Sequence, residues 1–207
     1  MSACCVNSPD CAAKTKLRAW LAAGAKGWLI LHKEDFPDGQ FSLTVLLFSG
    51  SLRERLTQRW RSFCALMGRY TPFSSWKEFW FRRAGANIGK NVYFSQGAEI
   101  DLLFPQLITL EDEAVMGMGA LIVAHVYTPD RIALARATVK RGGLVGGRAV
   151  LGLTSIGEEG VLAACSYTVK PVPDGYTAIG VPAALHKRKV CATKTVRTEE
   201  GENDEYP

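Results

Sequence analysis

Three histidines supply the imidazoles of this chain: His32, His125 and His186. Imidazole takes up and returns a proton near neutral pH, so each is a candidate general acid or base. His32 stands beside charged residues, and His186 precedes Lys187, Arg188 and Lys189; both read as surface residues. His125 differs. It follows the apolar run 121–124 and precedes Val126-Tyr127-Thr128-Pro129-Asp130, which ends in turn-forming residues. It stands where a strand gives way to a loop, and loops that leave a rigid scaffold are where chemistry concentrates. On the residues alone, a structural loop histidine remains the alternative. The six cysteines, Cys4, Cys5, Cys11, Cys64, Cys165 and Cys191, show no zinc-knuckle spacing and no disulfide framework, which predicts free thiols in a reducing compartment.

The elements that must position His125 show a repeat of six. Ile88, Phe94 and Ile100 are spaced by six, as are Leu110, Met116 and Ile122, and Val139, Val145 and Leu151. Ile156, Leu162 and Thr168 complete the series, with small residues following many of these positions. Four phased runs indicate a repeat architecture. A six-residue unit is one short strand and one sharp turn, so three units form a triangular coil with the marked side chains pointing inward. Stacked coils then make parallel strands about 4.8 Å apart, each layer satisfying the backbone of the next. The repeat is interrupted after Ile100 and again after Ile122, and an insertion in such a stack must loop outward; the second one holds His125.

Before residue 84 the periodicity is helical. Residues 17–31 suit a helix with small residues on one side, and 33–40 form a turn around Pro37 and Asp38-Gly39. Residues 51–67 predict an amphipathic helix, with Ser51 as N-cap, Gly68 as its stop, and Leu52, Leu56, Trp60, Phe63 and Met67 on one stripe. Residues 75–83 predict a second helix whose Trp76, Phe79 and Trp80 pack against the following domain. The expected organisation is a loose N-terminus over 1–16, a helical region over 17–83, the repeat domain over 84–183, and a basic then acidic tail over 184–207. The end of that tail, 198–207, is expected to be disordered.

Charge follows the same division. Residues 1–83 hold 13 Lys and Arg against 6 Asp and Glu, while residues 84–183 hold 7 against 9, within a net +5. The basic surplus accompanies no nucleic-acid-binding module, and it leaves contact between the N-terminal region and a membrane surface open. No apolar run reaches the roughly 18–20 residues that span a bilayer, and no secretory signal is apparent, so the cytoplasm is the expected compartment.

Specific segments carry a family likeness. Ile88-Gly89-Lys90-Asn91-Val92 is similar to an opening hexapeptide. Asp101-Leu102-Leu103-Phe104-Pro105 with Ile108-Thr109-Leu110, then Ile122-Val123-Ala124-His125, follow in the order found before a catalytic coil. Val172-Pro173-Asp174 with Ile179-Gly180-Val181-Pro182-Ala183 resembles a closing turn. Together, residues 83–183 resemble the hexapeptide-repeat acyltransferases, in particular the CoA-dependent O- and N-acetyltransferase branch. The resemblance implies a mainly β fold, a left-handed parallel β-helix with an N-terminal helical extension. It implies transfer of an acyl group from acetyl-CoA to a hydroxyl or amine of a small molecule or sugar, with no metal required. His125 would be the general base and Asp101 its orienting partner. Gly147 and Ala164 would let the pantetheine arm approach the backbone, and Lys170 and Lys187 would face the phosphates. Family members are trimers, with the CoA groove between subunits, so a homotrimer is expected.

The chain departs from that pattern at several points. Leu151 and Ile156 are five residues apart and lack the usual Pro-Gly; Glu111 and Lys140 replace glycines; Val169 precedes Lys170 where threonine is usual, and Ala184 stands where arginine is frequent. These departures keep a second expectation in play, a catalytically silent β-helix serving as a scaffold or binding module. A metal-dependent β-helix enzyme of the carbonic anhydrase kind needs three histidine ligands, and only His125 falls within the repeats.

Overall fold

The computed structural model describes residues 12–36, 41–48 and 51–187. Cys4, Cys5, Cys11 and Cys191, the turn residues 37–40, and residues 188–207 with the acidic tail lie outside the described residues. Among the described residues no helix is long and apolar enough to cross a membrane.

From residue 87 the chain winds as a left-handed parallel β-helix of three faces. One face stacks Asn87–Ile88, Ile108–Leu110, Ala137–Val139 and Ser155–Ile156. The second stacks Tyr93–Phe94, Val115–Met116, Leu144–Val145, Val161–Leu162 and Tyr176–Gly180, and the third stacks Glu99–Ile100, Leu121–Val123, Val150–Gly152 and Tyr167–Thr168. All twelve residues marked by the period of six are buried and point inward. Thr168, the polar member, is satisfied locally: its hydroxyl donates to the Lys170 carbonyl at 2.9 Å and accepts from the Lys170 amide at 3.0 Å. The five-residue step after Leu151 is absorbed at the corner, where Leu153 takes a left-handed conformation (φ 52°) and donates its amide to Val123 in the coil before. The small residues after the marked positions serve coil stacking. A Cβ at Gly117 would lie 2.5 Å from the Gly147 nitrogen, and one at Gly146 would lie 2.5 Å from the Ala164 nitrogen. Lys140, in place of a glycine, extends outward to Asp174 at 3.2 Å.

The N-terminal region departs from expectation in several ways. Helix α1 spans Ala12–Ala22, so ordered structure begins before residue 17. Residues 28–32, expected to continue a helix, form the strand Trp28–His32, because Gly24 and Gly27 both take positive φ and break the helix ahead of an apolar run. A short helix α2 follows at Leu43–Phe48. Helix α3 covers Leu52–Tyr70 and starts as predicted: Ser51 and Glu54 form a reciprocal capping box. It runs past Gly68, whose role is close approach instead of termination: a Cβ there would sit 2.3 Å from a Phe81 ring carbon.

A further difference is the orientation of α3. Its buried side carries Gln58, Cys64, Ala65 and Gly68, while Leu52, Leu56, Trp60 and Phe63 face outward. The reason lies in the excursion at residues 101–107, whose carbonyls have no stacked coil to accept from. Gln58 donates to the Leu103 carbonyl at 2.6 Å and Ser62 donates to that of Leu102 at 2.8 Å. Unpaired buried carbonyls cost more than an exposed apolar stripe, so the polar side turns inward. Helix α4, Ser74–Ala84, anchors on the coils through Phe81 against Phe94, with ring centroids 5.2 Å apart. Its Lys77 is fully buried and donates to the Gly68 and Arg69 carbonyls near the end of α3 at 2.8 and 2.9 Å. Trp80 is half-buried, whereas Trp76 and Phe79, expected to pack inward, are exposed. The strand Ala183–Lys187 extends order to residue 187, pairing antiparallel with Tyr176–Gly180 through the turn that holds Val181-Pro182.

Candidate active site

Asp101 closes a strand of the third face at the corner where the first excursion leaves, and His125 opens the second excursion one coil later at the same corner. The stacking register brings together two residues 24 apart in sequence. His125 Nδ1 lies 2.5 Å from Asp101 Oδ2. The same oxygen accepts from the Ala124 amide at 2.8 Å, and Oδ1 accepts from the amides of Leu103 and Phe104 at 2.9 and 3.0 Å. Asp101 is only 3% exposed. Burial alone would push its carboxyl up. The hydrogen bond and charge interaction with His125, together with the Ala124 and Phe104 amides, outweigh burial and hold the carboxyl below its ordinary range.

An anionic Asp101 bonded to Nδ1 fixes the imidazole as the Nδ1–H tautomer and leaves Nε2 as the basic nitrogen. The Phe104 ring, buried and 5.5 Å from the imidazole, walls one side. The His125 side chain is one-fifth exposed, so the imidazole reaches solvent while the Asp101 carboxylate does not. This arrangement suits proton abstraction from a ligand arriving at the corner.

The second excursion is ordered into strands His125–Tyr127 and Arg131–Ala135. The N-terminal strand Trp28–His32 pairs antiparallel with the latter, from Trp28 opposite Ala135 to His32 opposite Arg131, giving a three-stranded sheet. Leu31, Ile132 and Leu134 are buried on its inner side. Tyr127 stacks on Phe41 at 5.3 Å, and Phe41 meets Phe36 edge-on at 5.0 Å. The N-terminal region therefore braces the hairpin that carries His125. The sheet's outer side, with Trp28, Ile30, Val126 and Ala133, forms an apolar cleft against Leu153 and Tyr167 of later coils. Sequence reasoning missed this partnership. The signal was Trp28-Leu29-Ile30-Leu31-His32, a short apolar run after Gly27 that is too short to be a helix of its own.

The expected donor-binding residues fall on different edges. Gly147 and Ala164 stack in successive coils at the corner between the second and third faces, where the Gly147 carbonyl accepts from Cys165 and the Met118 carbonyl accepts from Arg148. His125, Asp101 and Lys170 share the corner at the other end of the third face, with Lys170 exposed. Lys187 ends the terminal strand opposite Tyr176, beside the third corner. One protomer thus unites His125 with Asp101 and Gly147 with Ala164, and keeps the two pairs apart. His32 and His186 are exposed strand residues, as expected. Cys64 and Cys165 are free thiols, and among the described residues no group of three His, Cys, Asp or Glu could hold a metal ion.

Comparison with known proteins agrees with this architecture. No family model matches the chain. The candidate acetyltransferase YvoF of Bacillus subtilis (strain 168) is 27% identical over 121 residues, covering 58% of this chain and 70% of that protein. A hexapeptide-repeat-containing acetyltransferase of Vibrio cholerae, solved in complex with acetyl coenzyme A, superposes with a TM-score of 0.55 at 15% identity, over 65% of this chain and 88% of that one. A maltose O-acetyltransferase of Clostridium difficile 630 superposes with a TM-score of 0.51 at 15% identity, over 67% of this chain and 91% of that one. The coils and their corners accordingly share the left-handed β-helix fold of these hexapeptide-repeat and maltose acetyltransferases.

Proposed function

We propose that this chain is an acetyltransferase that moves the acetyl group of acetyl-CoA to a hydroxyl or amine of a small molecule or sugar, with His125 as general base and Asp101 as its positioning partner. The observation that carries the reading is the contact between His125 Nδ1 and a buried, multiply hydrogen-bonded Asp101. It is supported by the acetyltransferase descriptions of the relatives and by the neighbour solved with acetyl coenzyme A. In this mechanism Nε2 takes the acceptor proton as the oxygen or nitrogen attacks the thioester carbonyl. A backbone N–H of a neighbouring coil stabilises the oxyanion. Collapse breaks the carbon–sulfur bond, and the imidazolium returns its proton to the departing thiolate, releasing CoA and the acetylated acceptor. No acyl-enzyme is formed.

The donor in this proposal lies between subunits. His125 and the Gly147–Ala164 column occupy opposite ends of one face, and a neighbouring copy packed alongside would bring its column near the His125 of the first. A homotrimer about the β-helix axis packs copies in this way, with Lys170 and Lys187 toward the donor phosphates and the cytoplasm as the compartment. Light scattering at micromolar concentration is expected to give three times the 22.6 kDa chain mass; a monomer would remove the intersubunit site. The direct test of activity is thiol release from acetyl-CoA across a panel of sugar, amino-sugar and small amine acceptors. Acceptor-dependent release is expected, and none with any acceptor would leave a silent scaffold.

A further inference from the structure

The outward stripe of α3 joins the exposed aromatics of α4 into one surface. Trp60 stacks with Phe63 at 5.8 Å, Phe63 meets Trp80 edge-on at 6.2 Å, and Trp80 meets Phe79 at 5.3 Å. Leu56 extends the patch along α3 and Trp76 along α4; Trp60 is 48% exposed and Trp76 62%. Contiguous apolar surface of this kind marks an interaction site. The exposed charge around it is mostly positive. Helix α3 carries five arginines and one glutamate, and α4 carries two arginines, a lysine and a glutamate. Arg59 lies exposed on the stripe's side of α3, and the Arg83 guanidinium sits 5.1 Å from the Phe79 ring centroid.

We propose that this aromatic and arginine face docks on an anionic phospholipid surface. Tryptophan and phenylalanine beside arginine suit the bilayer interface, where rings settle at headgroup depth and guanidinium groups meet phosphates. Charge complementarity favours this occupant over a second copy of the same face, which would bring arginines against arginines. The charge distribution of the whole chain acts in the same direction. The basic surplus lies in residues 1–83 and the β-helix carries a small acidic excess, so the field near an anionic membrane turns the helices toward it. The β-helix then projects away from the lipid. The proposal goes beyond the transferase assignment and does not depend on it.

The test is flotation of the full chain with vesicles of phosphatidylcholine alone and of phosphatidylcholine with phosphatidylglycerol, at low and at high salt. Binding to the phosphatidylglycerol vesicles is expected, weakened by salt, with a blue shift of tryptophan emission. The double variant Trp60→Ser/Phe63→Ser should lower partitioning at least about tenfold, through lost apolar burial. Arg59→Ser/Arg83→Ser should lose the preference for phosphatidylglycerol. These side chains are exposed, and far-ultraviolet circular dichroism checks that each variant keeps its fold. Two outcomes overturn the proposal: binding that both double variants retain; or no wild-type binding to anionic vesicles, alone or together with a changed oligomeric mass of the Trp60→Ser/Phe63→Ser variant. The changed mass would assign the face to contacts between copies. Turnover of the wild type with a soluble acceptor does not depend on vesicle binding, so the two readings fail separately.

Discussion

His125→Asn is expected to lower acetyl transfer about 10²–10⁴-fold, the usual worth of a positioned general base. Asparagine can keep a donor near the Nδ1 position, so the bond to Asp101 Oδ2 survives and the corner stays closed. What disappears is the basic nitrogen at the Nε2 position. The loss should fall in kcat, with KM for acetyl-CoA little changed, because Gly147 and Ala164 lie at another corner, and Lys170, though it shares the His125 corner, is assigned to the phosphates and not to the reacting carbonyl. His32→Ala, which keeps its backbone pairing with Arg131, is the silent control. Melting measured in parallel separates lost chemistry from a loosened coil. A folded His125→Asn protein that retained more than about a tenth of wild-type turnover would rule out histidine catalysis.

Asp101→Asn should cost turnover on the same scale, by a different route. Asparagine can still accept from Leu103 and Phe104 with its oxygen, but its amide nitrogen then faces the Ala124 amide and His125 Nδ1, placing donor against donor. The imidazole is relieved by moving its proton to Nε2, and that tautomer cannot accept one from the acceptor. Nitrogen-15 chemical shifts of the His125 ring should report the exchange of tautomers, a signature that a purely structural loss would not produce. The variant also tests stability against pH. The Asp101 carboxyl is held below its ordinary range in the folded protein, so the stability it contributes is present above the unfolded carboxyl pKa of about 3.9. That stability is lost as pH falls through the lower, folded value. The melting difference between wild type and Asp101→Asn should therefore be largest near neutrality and shrink in acid. A difference that stayed constant down to acid pH would contradict an ionised Asp101.

The β-helix was legible because its rule is local: every sixth residue must fill the prism, and Ile88 through Thr168 obey it apart from two outward excursions and one short step. The site was legible in part. His125 stood out by its position at a strand end, while Asp101 entered only through a family likeness; its partnership depends on stacking register, which spacing alone does not give. The N-terminal region was misread where distant parts of the chain decide the outcome. Trp28–His32 becomes a strand because a hairpin about 100 residues later offers an edge. The α3 stripe faces outward because the carbonyls of Leu102 and Leu103 claim Gln58 and Ser62, and no helical periodicity encodes that claim. Gly68 looks like a stop in sequence and is a seat for Phe81 in space.

The pairing of Trp28–His32 with Arg131–Ala135 also sets an order of events on the ribosome. The early strand emerges before its partner has been made, and at about 5–20 residues per second it waits roughly 5–20 seconds for the hairpin to leave the exit tunnel. During that interval its apolar edge is an open invitation to other nascent chains. Coils from residue 87 onward stack on immediate neighbours and need no such wait. This fastening of the corner that holds His125 is thus a delayed one, and the nascent chain is most vulnerable to chaperone capture or co-aggregation while residues 28–32 are still unpaired.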